Sequence, residues 1–197
     1  MKKRILAFDF GASSGRAMIG IYNGETIQLE EIHRFSNDPV MVNGVMYWDT
    51  LRLFYEIKQG IIKAKNTGGF ESIGIDTWGV DFGLLDKDGN LLENPIHYRD
   101  ERTKGMLEES FKLISKEEFY DITGNQFMEI NTAFQLLSLA KKRPELLERA
   151  ETLLLTPDLF TYMLTGIKST EYSIASTTQL LDARTGNWSD QVIGALG

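Results

Sequence analysis

The stretch RILAFDFGASSGRAMIGIY, residues 4–22, sets the architecture. Arg4 to Phe8 are mostly apolar, a polar turn runs from Asp9 to Arg16, and Ala17 to Tyr22 are apolar again. That order reads strand, glycine-rich turn, strand. The two commonest glycine-rich phosphate binders both run from a strand into a helix and use the helix N-terminus. This one runs into a second strand; the chain has no Gly-Lys dipeptide, and Gly11, Gly15 and Gly20 do not space as Gly-x-Gly-x-x-Gly. What remains is a β-hairpin turn with an acid at its entrance. Gly11 and Gly15 admit backbone angles closed to other residues and let N–H groups approach phosphate oxygens. Ser13 and Ser14 add hydroxyl donors. Asp9, at the end of the first strand, is placed to hold a hydrated Mg²⁺, which keeps several waters and takes one or two carboxylates. An ordinary hairpin rich in Gly and Ser reads the same way in isolation, so the remaining residues must decide between the two.

At 197 residues the chain is longer than a typical domain of about 100–150, which leaves one large domain or part of a multidomain protein open. Hydrophobic residues make up 42% and charged residues 25%, an ordinary globular balance. No run of 18 apolar residues exists and the N-terminus has no apolar leader, so we expect a cytoplasmic protein without a membrane partner. The absence of cysteine excludes disulfides and thiolate metal sites. With 21 basic against 28 acidic side chains and no dense basic tract, nothing favours nucleic acid. His33 and His97, far apart and outside any H-E-x-x-H pattern, argue against a zinc enzyme.

The first third reads as an antiparallel meander of strands near 4–9, 14–22 and 25–35, with Asn23-Gly24 as a turn. Leu51, Phe54, Ile57, Ile61 and Ile62 then recur at helical spacing between a capping Asp49 and Gly68-Gly69. Residues 71–76 read as a strand, 77–80 as a loop at its end and 81–85 as another strand. After Arg99 the pattern turns helical, with Ser115 and Glu118 as a capping box and a helix over 132–142 stopped by Pro144. Another helix opens at Pro157-Asp158 and closes at Gly166. The tail from Ser189 reads as a helix that the chain leaves incomplete, so we expect a piece of a longer protein.

Three stretches together carry a resemblance: DFGASSGR at 9–16, GIDTWGVDF at 74–82 and PDLFTYMLTG at 157–166. With YRDERT at 98–103 and STTQL at 176–180, the chain resembles the FGGY carbohydrate kinases along essentially its whole length. GIDTWGVDF is the more specific signal, since other branches of that family carry different residues at the sugar loop. The resemblance implies an α/β chain with an actin-like (ribonuclease H-like) ATPase fold, whose mixed sheet begins with the three-stranded meander and is flanked by helices. It implies residues 1–197 as the N-terminal domain, with a C-terminal domain absent from this chain and the ligands in the cleft between them. It implies ATP and Mg²⁺ as cofactors and phosphorylation of L-rhamnulose at its 1-hydroxyl, with L-fuculose, L-xylulose or glycerol as alternatives. An actin-like nucleotide binder without sugar chemistry is the rival from another class, and it leaves the 74–82 loop unexplained.

By resemblance Gly11, Ala12, Ser13, Ser14, Gly15 and Arg16 lie along the ATP phosphates, Asp9 works with Mg²⁺, and Gly79 touches the sugar. Thr77, Trp78, Asp81 and Arg99 complete the expected sugar side, with Asp81 as the hydroxyl acceptor. The family's catalytic aspartate lies in a His-Asp-Thr motif that these residues do not contain, so no general base is named and the fragment alone is expected to be inactive. Blander readings stay open beside these. Asp76 can cap its turn, Trp78 can be core, and His97 can be structural. Arg99, Asp100 and Arg102 can be a local ion-pair cluster, and Asn131 can cap the helix whose Gln135 lies one turn on.

Overall fold

The two apolar arms of residues 4–22 pair as a hairpin in which Leu6, Phe8, Phe10, Ala17 and Ile19 point into the core. The computed structural model, which describes residues 2–197, has strands β1 (Lys3–Phe10) and β2 (Ser14–Tyr22) paired antiparallel, Phe10 opposite Gly15. β3 (Ile27–Ser36) follows a turn in which Asn23 Oδ1 accepts the N–H groups of Glu25 and Thr26. A small hairpin of β4 (Val40–Val42) and β5 (Val45–Tyr47), not anticipated from the sequence, leads into α1 (Thr50–Asn66), whose first turn is capped by Asp49. β6 (Ser72–Asp76) then returns parallel to β1, giving the sheet order β3-β2-β1-β6.

One face of this sheet presents Leu6, Phe8, Phe10, Ala17 and Ile19 to Leu53, Ile57 and Ala64 of α1. Space there is tight enough to fix glycine positions. A Cβ on Gly15 would meet the Phe35 ring at 2.3 Å, and one on Gly60 would meet the Phe8 ring at 2.6 Å. Gly11 and Gly15 are not among the residues with positive φ, which corrects the expectation that they serve backbone angles closed to other residues. Gly15 is instead glycine because the Phe35 ring occupies the place of a side chain.

β7 (Phe82–Leu85) leaves the first sheet, and its partner comes from far along the chain. The helices α2 (Met106–Ser110), α3 (Lys116–Thr123), α4 (Thr132–Lys142) and α5 (Pro144–Glu148) intervene before β8 (Thr152–Leu155) pairs with it antiparallel. Each of those two strands is only four residues long, and apolar runs that short carry no pairing information of their own. α6 (Thr156–Thr165) ends on Gly166 in the left-handed conformation, and α7 (Tyr172–Ala175) and α8 (Asp190–Leu196) complete the order. Ser115 does cap α3, while the Glu118 side chain accepts from Gln191 instead of closing the box. α8 opens on Ser189, whose hydroxyl accepts the Val192 N–H. No helix among the described residues is long and apolar enough to cross a membrane.

Phe160 of α6 stacks on Phe10 at 5.2 Å and joins the second half to the sheet core. Packing outweighs helix propensity at Gly60. Alanine there would gain about 1 kcal/mol of propensity, yet its methyl has no room beside Phe8 and Ala17, and overpacking costs about 1–3 kcal/mol. Gly60→Ala is therefore expected to lower the denaturant midpoint, and a raised midpoint would contradict the packing.

Candidate active site

Two loops meet at one end of the sheet because the strands carrying them are neighbours and parallel. β1 ends in Asp9 and Phe10 before the Gly11–Ser14 turn; β6 ends in Asp76 before Thr77 to Val80, and Asp9 and Asp76 are partners in the register. The turn is held from outside by Asn37, which donates its side-chain N–H to Gly11 O at 2.8 Å and its backbone N–H to Ser13 O at 3.0 Å. Gly11 N–H donates across the turn to Ser14 O. Ala12 and Ser13 are left with backbone N–H groups that find no acceptor among the described residues. Asp9 pairs with Arg16 at 2.9 Å, both half-exposed, a contact worth about 0–1 kcal/mol. No set of three or more His, Asp or Glu side chains that could hold a metal is found among the described residues. Two adjacent carboxylates, Asp9 and Asp76, do suit a cation that keeps most of its water.

The Thr77–Val80 loop is built around a buried acid. Asp81 is 0% exposed. Its Oδ2 accepts the indole N–H of Trp48 at 2.6 Å, that of Trp78 at 3.1 Å and the backbone N–H of Tyr98 at 3.1 Å. Its Oδ1 accepts from Gln135 Nε2 at 2.9 Å, and Gln135 Oε1 in turn accepts from Arg102. Both oxygens face donors only, and no surface is left for a ligand. This corrects the reading of Asp81 as acceptor of a sugar hydroxyl: it organises the loop from beneath. Burial pushes its carboxyl up to about 6, against the opposing pull of the Trp48 and Gln135 hydrogen bonds and the Arg102 charge.

Trp48 lies stacked between Trp78, at 3.8 Å and 25°, and His97, at 3.9 Å and 22°. His97 is buried, and burial together with the Arg99 charge pushes its imidazole down to about 4. It is a neutral structural ring that accepts the Arg99 N–H. Val80 is β-branched yet has φ of +66°, an outlier that costs about 1–3 kcal/mol and persists only where surroundings enforce it. Three groups enforce it: Thr177 Oγ1 accepts its N–H, and Thr132 Oγ1 and Gln135 Nε2 donate to its carbonyl.

A cavity of about 430 Å³ opens above this loop, lined by Trp78, Gly79, Val80, Tyr98, Asn125, Gln126, Met128, Ile130, Asn131 and Thr177. That size and mixture, an apolar wall with a few amides and a hydroxyl, suits a small polyol. A second cavity, about 410 Å³, is walled mainly by aliphatic residues such as Leu136, Leu180 and Ile193, with Thr170, Thr178 and Trp188 as the lining side chains that carry hydrogen-bonding groups. Of the residues expected on the sugar side, Gly79 and Trp78 line the pocket. Thr77 does not line it and donates to Trp78 O. Arg99 is exposed outside it, over the Tyr98 ring at 5.3 Å. Asn131 lines it without capping α4; its amide donates to Gln126 O and Gln179 Oε1. Sequence reasoning missed Asn37, Trp48, Asn125 and Gln126. An Asn one residue past a strand and a Trp before a helix cap carry no local signal of the distant groups they reach.

The family model described as the N-terminal domain of the FGGY family of carbohydrate kinases matches residues 4–197. The chain belongs to that family. It is 47% identical over 193 residues to a rhamnulokinase of Halalkalibacterium halodurans, covering 98% of this chain and 41% of that protein. A rhamnulokinase of Bacteroides thetaiotaomicron is 46% identical over 198 residues, covering 100% of this chain and 41% of that protein. The chain thus spans about two fifths of the length of these curated relatives. Among solved structures, a gluconate kinase from Lactobacillus acidophilus superposes over 100% of this chain and 40% of its own, with TM-score 0.87 at 20% identity. A xylulose kinase from the same organism covers 98% and 40%, with TM-score 0.86 at 20% identity. The FGGY family and its actin-like fold, both implied by the motifs, therefore hold.

The raised carboxyl of Asp81 has a direction in pH. The unfolded chain releases this proton near the ordinary carboxylate value while the folded chain holds it to about 6, so the group's contribution to stability falls as pH rises through that window. Asp81→Asn cannot titrate. The stability gap between the two proteins, measured by urea unfolding, is expected to move in favour of the Asp81→Asn variant by about 2 kcal/mol between about pH 4 and pH 7. A gap independent of pH would mean that Asp81 ionises as an exposed carboxylate.

Proposed function

We propose that this chain is the N-terminal domain of an ATP-dependent rhamnulokinase, which moves the γ-phosphoryl group of ATP to the 1-hydroxyl of L-rhamnulose. The observation that carries this reading is the juxtaposition of the phosphate turn after β1 and the Gly79 pocket after β6, on adjacent parallel strands. Two relatives with 46–47% identity over nearly the whole chain bear the name rhamnulokinase, which supports the choice of sugar within the family.

Phosphoryl transfer needs positioning and charge neutralisation more than covalent chemistry by the protein. In this reading the free N–H groups of Ala12 and Ser13, with the Ser13 and Ser14 hydroxyls, receive phosphate oxygens. Gly11 and Gly15 keep the turn narrow, and Arg16 balances Asp9 until the nucleotide brings its cation. Asp9, with Asp76 beside it, would hold hydrated Mg²⁺, which supplies charge neutralisation at the transferring group. On the sugar side the Gly79 backbone and the flat face of Trp78 meet the C–H face of the ketose, and Asn125, Gln126 and Asn131 offer amides to its hydroxyls. The general base and the adenine contacts belong to the portion of the complete enzyme outside these 197 residues, consistent with relatives more than twice as long. The isolated chain binds ligands weakly and turns nothing over.

Two measurements test this. A panel of L-rhamnulose, L-fuculose, L-xylulose and glycerol in a coupled ADP-release assay of the complete enzyme is expected to favour L-rhamnulose; preference for another substrate moves the chain to another branch of the family. In the same enzyme Asp9→Ala is expected to lose most of kcat while sugar binding is kept. Near-normal turnover would sink the metal-side role of Asp9.

A further inference from the structure

Val80 is gripped from two independent sides. Its carbonyl accepts from Thr132 and Gln135, both on α4. Its N–H has one acceptor, Thr177 Oγ1 at 3.1 Å, and that hydroxyl donates onward to Ile174 O at 2.8 Å. Thr177 comes from the short helical turn after α7, 97 residues from Val80 in sequence. The contact is close as well as polar: a Cβ on residue 79 would lie 3.1 Å from both Cγ2 and Oγ1 of Thr177. A side chain at residue 79 would crowd Thr177, which would have to give by a few tenths of an ångström, while the φ of Gly79 is not positive. Without the hydroxyl, the N–H of Val80 has no partner, and the Gly79–Val80 peptide keeps only the bond from the Asp81 N–H to its carbonyl, 2.9 Å, to hold it in its strained turn.

We propose that Thr177 is a positioning residue for the sugar pocket: its hydroxyl and its packing on Gly79 hold Val80 in the left-handed turn and thereby set which way the Gly79 backbone faces the ligand. The proposal rests on reading the Gly79 pocket as the sugar site, and the test separates the two. α4 fixes the peptide after Val80 through the Val80 carbonyl and Thr177 fixes the peptide before it through the Val80 N–H, so the conformation of Val80 depends on these two elements keeping their spacing. The Thr177 hydroxyl both accepts and donates, which a valine in its place could not do.

The experiment compares Thr177→Val, which keeps the shape and removes the acceptor, with Thr177→Ser, which keeps the hydroxyl. Amide hydrogen exchange reads the clamp, and the tryptophan fluorescence response of the complete enzyme to L-rhamnulose reads the pocket. In Thr177→Val the Val80 N–H is expected to exchange about tenfold faster or more, with Leu84 and Leu154 in the β7–β8 pair unchanged. L-rhamnulose affinity is expected to fall about tenfold in the same variant, and Thr177→Ser to restore both readouts to within about twofold. Should Thr177→Val unfold, seen as faster exchange at Leu84 and Leu154 too, Thr177→Ala removes the acceptor without adding bulk and replaces it. Unchanged protection of Val80 in the variant lacking the hydroxyl overturns the proposal, as does faster exchange with no change in affinity. If the unsubstituted complete enzyme gives no response to L-rhamnulose, the sugar reading falls, while the exchange comparison still decides whether Thr177 is the clamp.

Discussion

The whole site is organised around the buried carboxylate of Asp81. An ionised acid removed from water is costly, and it is tolerated here because four donors converge on it: two indoles, one amide side chain and one backbone N–H. Those donors come from four places in the chain: just before α1, the 77–80 loop, the segment after residue 96, and α4. Satisfying one carboxylate therefore ties four segments into one geometry. The orientation of Trp78 in the pocket, the Trp78–Trp48–His97 stack and the placement of Tyr98 all follow from it.

Above this anchor the backbone is held in a conformation it would not adopt alone. A valine at φ +66° is under strain, and its neighbours over-determine it through one bond to its N–H and two to its carbonyl. The Gly11–Ser14 turn is held by similar means. Asn37 fixes the carbonyls of Gly11 and Ser13 from outside, so the N–H groups of Ala12 and Ser13 stay free to meet an anion. In the 77–80 loop the surrounding protein binds both the N–H and the carbonyl of Val80, and in the Gly11–Ser14 turn it binds only carbonyls and leaves two N–H groups open. Rigid support before ligand arrives is what positioning catalysis requires.

Much of this architecture is legible in the residues themselves. The hairpin at 4–22, the Asn23-Gly24 turn, the Asp49-capped helix and the Pro157–Gly166 helix rest on local periodicity and capping chemistry, which act within a few residues. The specificity of GIDTWGVDF, read as a family motif, points to a pocket at Gly79 and Trp78. Local reasoning fails where the partner is remote. An acid beside a turn looks available to a ligand, and nothing near Asp81 announces that Trp48, Tyr98 and Gln135 will cover it. The β7–β8 pairing is hidden for the same reason, as are the contacts of Asn37 and Thr177.

A glycine-rich turn on a hairpin and the GIDTWGVDF loop after a second strand are legible in the sequence because apolar runs, turn residues and helix caps are encoded within single segments. How those segments cooperate is set by tertiary packing: Asp9 and Asp76 side by side through parallel pairing, Asp81 sequestered by four donors, Val80 strained between α4 and Thr177. The physical reason is that hydrogen-bond satisfaction in a buried site is a property of every group brought there at once. Asp81, which the sequence presents as a ligand contact, is the buried support beneath the Gly79 pocket.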